Sequence, residues 1–479
     1  MAEIDVASEV EEILHHRPAA SADTRPYPNP AYAWYVVGVF VLAYTFSFID
    51  RQILSLLVGP MKRDLAITDT QMSLLQGLAF AAFYTIMGLP IGRLVDRRNR
   101  IGIISVGVFF WSLMTALCGT AKVYWQLFAY RIGVGVGEAA LSSSAYSVIS
   151  DYFPPKRLGI AIGVYGMGVY IGAGLALVIG AEVIGLVAKG GDVVLPLLGQ
   201  VYSWQIVFLI VGLPGLLIAL WVRTIREPVR RGHIRREIGA DGIERDGQVP
   251  LGEVIVYLKA NAASFLGMNL CFAFLAMMAY GTAAWVPSFF VRTYGWNIVE
   301  AGRWYGWIIV IFGTGGVVAG GALGDLVCSW GYRNGRIIVM ACTGLVTLPF
   351  AVAFPLMNNP MIALALLAPA TFFATFTTGI GPSALQEMMP NQMRGFASAL
   401  SGLLVNFIGL GLGPTMIALV TDFVFKDEQL LRYSLAYVPP VVLLIGAGTG
   451  FLALKPYIRS LDYLERWSQA HENPDILGH

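Results

Sequence analysis

The sequence predicts an all-α membrane protein with twelve transmembrane helices in two pseudo-symmetric six-helix bundles. Composition is the first reason. The chain has 479 residues, 56% of them hydrophobic and 13% charged, with mean hydropathy +0.66. A soluble domain carries roughly 25% charged residues. The second reason is length: apolar stretches recur that are long enough to cross a hydrocarbon core of about 30 Å. The weak alternation of an outer-membrane barrel is absent. The third is an internal repeat. GRLVD at Gly92–Asp96 matches GALGD at Gly321–Asp325, and RIGVGVGEAAL at 131–141 aligns with TFTTGIGPSAL at 375–385. DYFPPKR at 151–157 aligns loosely with EMMPNQMR at 387–394. Parallel six-helix repeats are a transporter architecture, with binding between the halves near the bilayer midplane.

Residues 1–31 read as a polar tail, with a short amphipathic helix expected at 4–15. The first bundle occupies 32–223, with spans at 32–59, 71–93, 101–121, 124–150, 157–188 and 203–223. A basic linker over 224–262 follows, containing REPVRRGHIRR at 226–236 and an interfacial helix at 249–261. Such a linker suits contact with anionic headgroups. The second bundle occupies 263–456, with spans at 263–291, 299–325, 336–356, 360–388, 394–424 and 434–456. Residues 457–479 form a second polar tail. Arg and Lys are concentrated in the connections on the side of the termini. The positive-inside rule then places both termini in the cytoplasm. The first residues lack an apolar core, so a cleavable signal peptide is not expected.

The stretch RIGVGVGEAALSSS at 131–144 carries Arg131 and Glu138 inside an apolar span. Seven residues apart, they share one helix face. A charge near the bilayer centre costs about 2.5–3.5 kcal/mol or more, so both are expected to face protein or water. Span 1 carries Asp50 and Arg51, which point about 100° apart on the helix. Helix rise puts Asp50 and Arg131 at similar depth and Glu138 about 10 Å nearer the termini. Asp50 and Arg131 are therefore expected to approach one another, with Glu138 lining the same cavity.

The five histidines (15, 16, 233, 471 and 479) lie outside the spans. Any proton carried through the bundle must ride on a carboxylate. The second half is poor in intramembrane charge and offers Phe274, Met277, Tyr280, Trp285, Phe373 and Phe376 as candidate walls of an apolar cavity. GLGLGP at 409–414 reads as a close-packing seam and a bending point. Cys118, Cys271, Cys328 and Cys342 lack CxxC spacing, so neither a disulfide nor a metal site is expected. HExxH and GxSxG motifs are absent, which argues against a membrane enzyme. A nucleic-acid partner is not expected.

Gly92, Leu94, Asp96, Arg97 and Arg100 form a GxLxDRxxR run, with Asn99 before the last Arg. Further motifs are FIDRQ at Phe48–Gln52, DTQMSLLQ at Asp69–Gln76, GVGEA at Gly135–Ala139, REP at Arg226–Pro228 and GLGLGP. On these residues the chain resembles the major facilitator superfamily, which usually has Gly in place of Asn99, and, within it, the Spinster family of lysolipid transporters. The resemblance implies helices 1, 4, 7 and 10 around a cavity and proton-coupled movement of a lysophospholipid or sphingoid phosphate. Asp50 and Glu138 are the implied proton carriers, with Arg131 as their charge partner; Arg131 and Arg51 are candidate headgroup ligands. Gly92, Asp96, Arg97, Arg100, Gly321 and Asp325 form the implied cytoplasmic gate. Asp96 and Asp325 are expected to latch the two halves there while the outer side is open. No cofactor is implied beyond the proton. The expected protein is a monomeric alternating-access carrier in the bacterial inner membrane. A symporter of a small organic anion and a non-transporting receptor are the alternatives.

Overall fold

The computed structural model describes residues 27–190, 193–195, 199–230, 236–238, 244–246, 251–390 and 393–472. The helix expected at 4–15 and part of the basic linker lie outside the described residues. Among the described residues, twelve helices are long and apolar enough to cross a membrane. Spans 1 to 6 are Pro30–Leu65, Asp69–Val95, Arg100–Cys118, Tyr124–Tyr152, Ile160–Lys189 and Ser203–Arg223. Spans 7 to 12 are Ala262–Tyr294, Ile298–Ser329, Gly335–Leu356, Pro360–Glu387, Arg394–Phe425 and Glu428–Trp467. An even number of crossings puts the start of span 1 and the end of span 12 on one face, the terminal face; the other is the far face. Two small antiparallel pairs decorate the loops: Val193–Leu195 with Gly199–Val201, and Arg236–Ile238 with Glu244–Asp246.

Local chemistry explains where the helices begin. Asn29 caps span 1 by accepting from Ala31 N at 2.9 Å, ahead of Pro30 at the first helical position. Thr68 opens span 2 with a capping box. Its hydroxyl accepts from Gln71 N at 3.1 Å, while Gln71 Oε1 accepts from Thr68 N at 3.0 Å. Asn359 and Pro360 repeat the first device at span 10.

Several spans are broken where the sequence reads as continuous. Span 2 consists of Asp69–Gln76 and Leu78–Arg97, divided at Gly77. Span 10 divides into Pro360–Ala374 and Phe376–Glu387. Spans 8 and 11 contain π-helical segments at Ile309–Gly313, Asn406–Leu412 and Val420–Phe425. GLGLGP falls across the second of these. A Cβ on Gly413 would stand 2.6 Å from Met277 O of span 7. The motif therefore packs the helix closely, where a π-helical segment interrupts the α-helical pattern. The last helix, Leu431–Glu472, runs well past the expected end of span 12. Tyr457, Leu461 and Leu464 recur at i, i+4 and i+7 on this extension. That period keeps one apolar face against the bundle. Tyr257 on the short helix Leu251–Ala260 meets Tyr463 at 5.3 Å and Trp467 at 6.1 Å.

The two halves touch backbone to backbone at two seams. Where span 5 crosses span 8, a Cβ on Gly174 would sit 2.5 Å from Gly306 O, and one on Gly306 would sit 2.6 Å from Gly174 O. Where span 2 crosses span 11, a Cβ on Gly77 would sit 2.7 Å from Leu410 O. Small residues allow this approach, and dispersion across the contact replaces the hydrophobic drive that lipid does not supply. Gly174→Ala or Gly306→Ala should therefore wedge the seam open and destabilise the fold by about 1–3 kcal/mol, the cost of overpacking. Gly163→Ala in span 5, where nothing lies within 4 Å, should be nearly neutral. Thermal unfolding in detergent reads the difference; equal melting temperatures for all three variants would remove the seam argument.

Candidate functional site

The site begins with the glycines of span 4. A Cβ on Gly135 would stand 2.5 Å from Phe80 O of span 2, and one on Gly137 would stand 2.7 Å from Trp111 N of span 3. Those two spans are thus pressed against the back of span 4. Glu138 is left buried, 1% exposed, and turned toward span 1.

Glu138 Oε2 accepts from Ser47 Oγ at 2.5 Å and from Arg51 Nε at 2.7 Å, and Arg51 Nη2 also pairs with it. Ser47 and Arg51 are one helical turn apart on span 1, so a single face presents both donors. Aromatic faces enclose the Arg51 guanidinium: Phe80 at 4.4 Å, Phe48 at 4.9 Å and Tyr84 at 5.2 Å. Cation–π attraction is strongest where water is excluded, as it is here.

Arg131 is completely buried. It donates from Nη1 to the backbone carbonyl of Asp50 at 3.1 Å and from Nε to Leu75 O at 3.4 Å. The family resemblance implies Arg131 as the charge partner of the carboxylates. The structure instead gives Glu138 to Arg51, and ties Arg131 to the Asp50 main chain. The cause is the 100° step between neighbours on a helix: Arg51 turns toward span 4, while Asp50 turns into the bundle. Asp50, Arg51, Arg131 and Glu138 remain close enough to act on one another electrostatically. Asp50 Oδ1, Glu138 Oε1, Arg131 Nη2 and both polar atoms of the Gln76 side chain are buried without a hydrogen-bond partner among the described residues. The cluster therefore has unused hydrogen-bonding capacity on both signs of charge.

A cavity of about 160 Å³ adjoins this cluster. Its walls include Phe48, Gln52, Tyr170, Phe272, Tyr280 and Thr371, drawn from both halves. A narrower gap lined by Arg51, Gln52, Gln76 and Tyr280 leads from the cavity toward the charges. Of the apolar residues singled out in the sequence, Tyr280 lines the cavity. Met277 and Trp285 are buried within the packing instead, with Trp285 Nε1 donating to Pro414 O at 2.9 Å. Phe373 and Phe376 pack on Phe372 at 5.3 and 5.1 Å, and Phe274 backs onto Gly446 of span 12. Helical phase decides the outcome: Phe272, Ala276, Ala279, Tyr280 and Ala283 share the face of span 7 that turns to the cavity. Ser47, Tyr170 and Phe272 were not singled out by sequence; no local pattern separates them from neighbouring residues of like type.

The far face carries a second charge cluster, also missed. Asp69 is fully buried at the start of span 2. Arg292 of span 7 grips it in bidentate fashion, at 2.6 and 2.8 Å, and Lys62 of span 1 reaches it at 2.6 Å. Glu428 completes the cluster by pairing with Lys62 and Arg292. Beside it, Asp422 of span 11 accepts from both N and Oγ1 of Thr70 at 2.7 Å. These bonds tie the two halves together at the far face.

At the terminal face the described ion pairs of Arg100 and Asp325 stay within one half or reach the linker. Arg100 pairs with Asp151 at 2.5 Å and with Glu227 at 2.7 Å; Arg336 pairs with Asp325 at 2.6 Å and with Glu387. Nothing lies within 4 Å of a Cβ built on Gly92, and Gly379 O lies at 3.8 Å from one on Gly321. The side chains of Asp96 and Arg97 lie outside the described residues. The structure is thus an arrangement sealed at the far face. Removing one partner of a buried ion pair costs about 3–5 kcal/mol. Asp69→Asn should leave Lys62 and Arg292 with only the exposed Glu428 between them, weakening the seal. Spin labels at Val123 and Val424 should then report a longer far-face distance in a large share of molecules. An unchanged distance distribution in a folded variant would mean that packing alone closes this face.

The matches to known proteins agree with this geometry. Residues 40–414 match the Major Facilitator Superfamily. An MFS-type efflux pump of Mycolicibacterium smegmatis is 27% identical over 457 residues, covering 93% of this chain and 98% of that protein. A hexuronate transporter of Escherichia coli is 26% identical over 400 residues, covering 81% of this chain and 86% of its own. Among solved structures, a bacterial homolog of the human lysosomal transporter Spinster, in an inward-facing and unoccupied conformation, aligns with a TM-score of 0.73. It is 27% identical, and the match covers 90% of this chain and 99% of that one. The chain belongs to the Major Facilitator Superfamily and is an integral membrane transporter, not an enzyme.

Proposed function

We propose that this transporter moves an amphiphilic anion, of the lysophospholipid or sphingoid phosphate class, by proton-coupled alternating access. The observation that carries the reading is the juxtaposition of Arg51 and Glu138 with a largely apolar cavity. Phe48, Gln52 and Tyr280 line both the cavity and the gap leading to Arg51. An anionic headgroup can compete with Glu138 for the Arg51 guanidinium, while its chain lies against Phe272, Met278 and Leu367. Protonation of Glu138 frees Arg51 for the substrate; release of the proton reclaims it. Asp50 is the second candidate carrier, buried beside Arg131. Two sets of bonds to one guanidinium therefore couple the two ligands without contact between them. In this reading the terminal face is cytoplasmic, the membrane is a bacterial inner membrane, and the far-face cluster holds the inward-facing state.

A second reading has its own support. Thr371, Thr375, Thr377 and Thr378 line the cavity, and relatives are named as hexuronate transporters. A small polyhydroxy acid would use those hydroxyls where a lysolipid would use the aromatic walls. Flux into liposomes of a lysophosphatidate and of glucuronate, each with and without a pH gradient, separates the two. We expect gradient-stimulated flux of the lysophosphatidate. Glucuronate flux alone would select the small-anion reading. Glu138→Gln should retain binding but lose at least tenfold of the stimulation, and Asp50→Asn should weaken it separately. Full gradient-driven flux in both variants would make the carboxylates structural and end the proton-coupled proposal.

A further inference from the structure

Glu138, Ser142 and Tyr146 occupy positions i, i+4 and i+8 of span 4, on one face, each about 6 Å from the next. Around Ser142, tyrosines converge from three other spans. Tyr84 of span 2 places its hydroxyl 3.3 Å from Ser142 Oγ. Tyr165 of span 5 stacks on Tyr44 of span 1 at 5.0 Å and meets Tyr146 edge-on at 5.2 Å. Tyr165 is fully buried, and its hydroxyl has no hydrogen-bond partner among the described residues. It shares its surroundings with Ser142 and with the hydroxyls of Tyr44, Tyr84 and Tyr146. At the upper end, Glu138 Oε1 is likewise unpartnered. At the lower end, Tyr146 is 40% exposed, about 9 Å from the end of the helix at Tyr152.

Packing alone does not account for the buried Tyr165 hydroxyl. Phenylalanine would stack as well, and a buried hydroxyl without a partner costs about 1–3 kcal/mol. We propose that Tyr44, Tyr84, Ser142, Tyr146 and Tyr165 form a hydroxyl relay that carries protons between Glu138 and the terminal face. The proposal rests on Glu138 being a titrating carboxylate, as in the function proposed above. In each transfer a hydroxyl accepts a proton on its oxygen and releases its own to the next oxygen, with water filling the wider steps. No hydroxyl gains net charge, and the proton that enters at Tyr146 is balanced by one delivered to the Glu138 carboxylate. The other groups facing this path are Asp50 and Arg51 of span 1, Arg131 of span 4 and Tyr280 of span 7. The two arginines repel a free hydronium, which favours delivery along neutral hydroxyls. With the far face sealed, the relay gives Glu138 access to the terminal side alone.

The test follows the infrared band of a protonated carboxyl after a pH jump, using the full chain in lipid nanodiscs. Glu138→Gln should remove the Glu138 component of the band, with any remainder assigned by Asp50→Asn. If the band is unchanged by Glu138→Gln, Glu138 is not a titrating group, and both this relay and its parent reading fail. With the band assigned, Ser142→Ala and Tyr165→Phe should keep its amplitude and titration midpoint but slow its appearance tenfold or more. Ser142→Thr, which restores a hydroxyl, should restore the rate. Rates within twofold of wild type in both variants would overturn the relay while leaving Glu138 as the proton carrier. Should Tyr165→Phe fail to fold, Tyr146→Phe at the exposed end answers the same question, with the same slowing expected.

Discussion

Much of this structure follows from the need to keep one carboxylate, Glu138, inside an apolar helix bundle. An ionised group there is tolerable only with an opposite charge and hydrogen bonds in place. Arg51 supplies the charge, and Ser47 supplies a further donor from the same face of span 1. Arg51 is itself held by three aromatic rings, so its position depends on spans 1 and 2 together. The close approach of spans 2 and 3 to span 4 at Gly135 and Gly137 then fixes where Glu138 points. A side chain larger than hydrogen at either position would shift the carboxylate away from its partners.

The same economy governs the two faces. At the far face a buried Asp69 is shared between Lys62 and Arg292, which belong to different halves. Parting the halves there would leave Asp69 with Lys62 alone and strip away the bidentate Arg292, so the cross-half pair stabilises closure. At the terminal face Arg100 and Arg336 find partners within their own halves or the linker. Those pairs survive separation of the halves. Among the described residues, the ion pairs that cross between the halves lie at the far face.

Between the faces the halves meet through backbone at Gly174 with Gly306 and at Gly77 with Leu410. Such contacts have no long side chains to repack. They suit surfaces that pivot on one another, because little interdigitation must be undone. Both seams adjoin irregular helix: span 2 breaks at Gly77, and π-helical turns lie at or just beyond the contact in spans 8 and 11. The cavity lies between these seams and draws its walls from both halves, so any pivoting changes its shape.

The sequence by itself determined the class of the molecule. Apolar runs of bilayer length and the repeat of GRLVD in GALGD are local properties of the chain, and they carry through to twelve helices in the superfamily fold. It also marked Asp50, Arg51, Arg131 and Glu138, because charge inside an apolar run is conspicuous wherever it falls. Which of them pair was not legible. Depth along a helix can be counted from sequence, but rotation about its axis relative to a neighbour cannot, and the 100° between Asp50 and Arg51 decides which arginine meets Glu138. The cavity walls escaped for the same reason, since Phe272 and Phe274 are alike in composition and opposite in phase. The far-face seal escaped because Asp69 and Arg292 lie 223 positions apart. Each stands at a span end, where charge is ordinary. Only the tertiary structure brings those ends together and withdraws them from water, and that withdrawal makes the pair a latch.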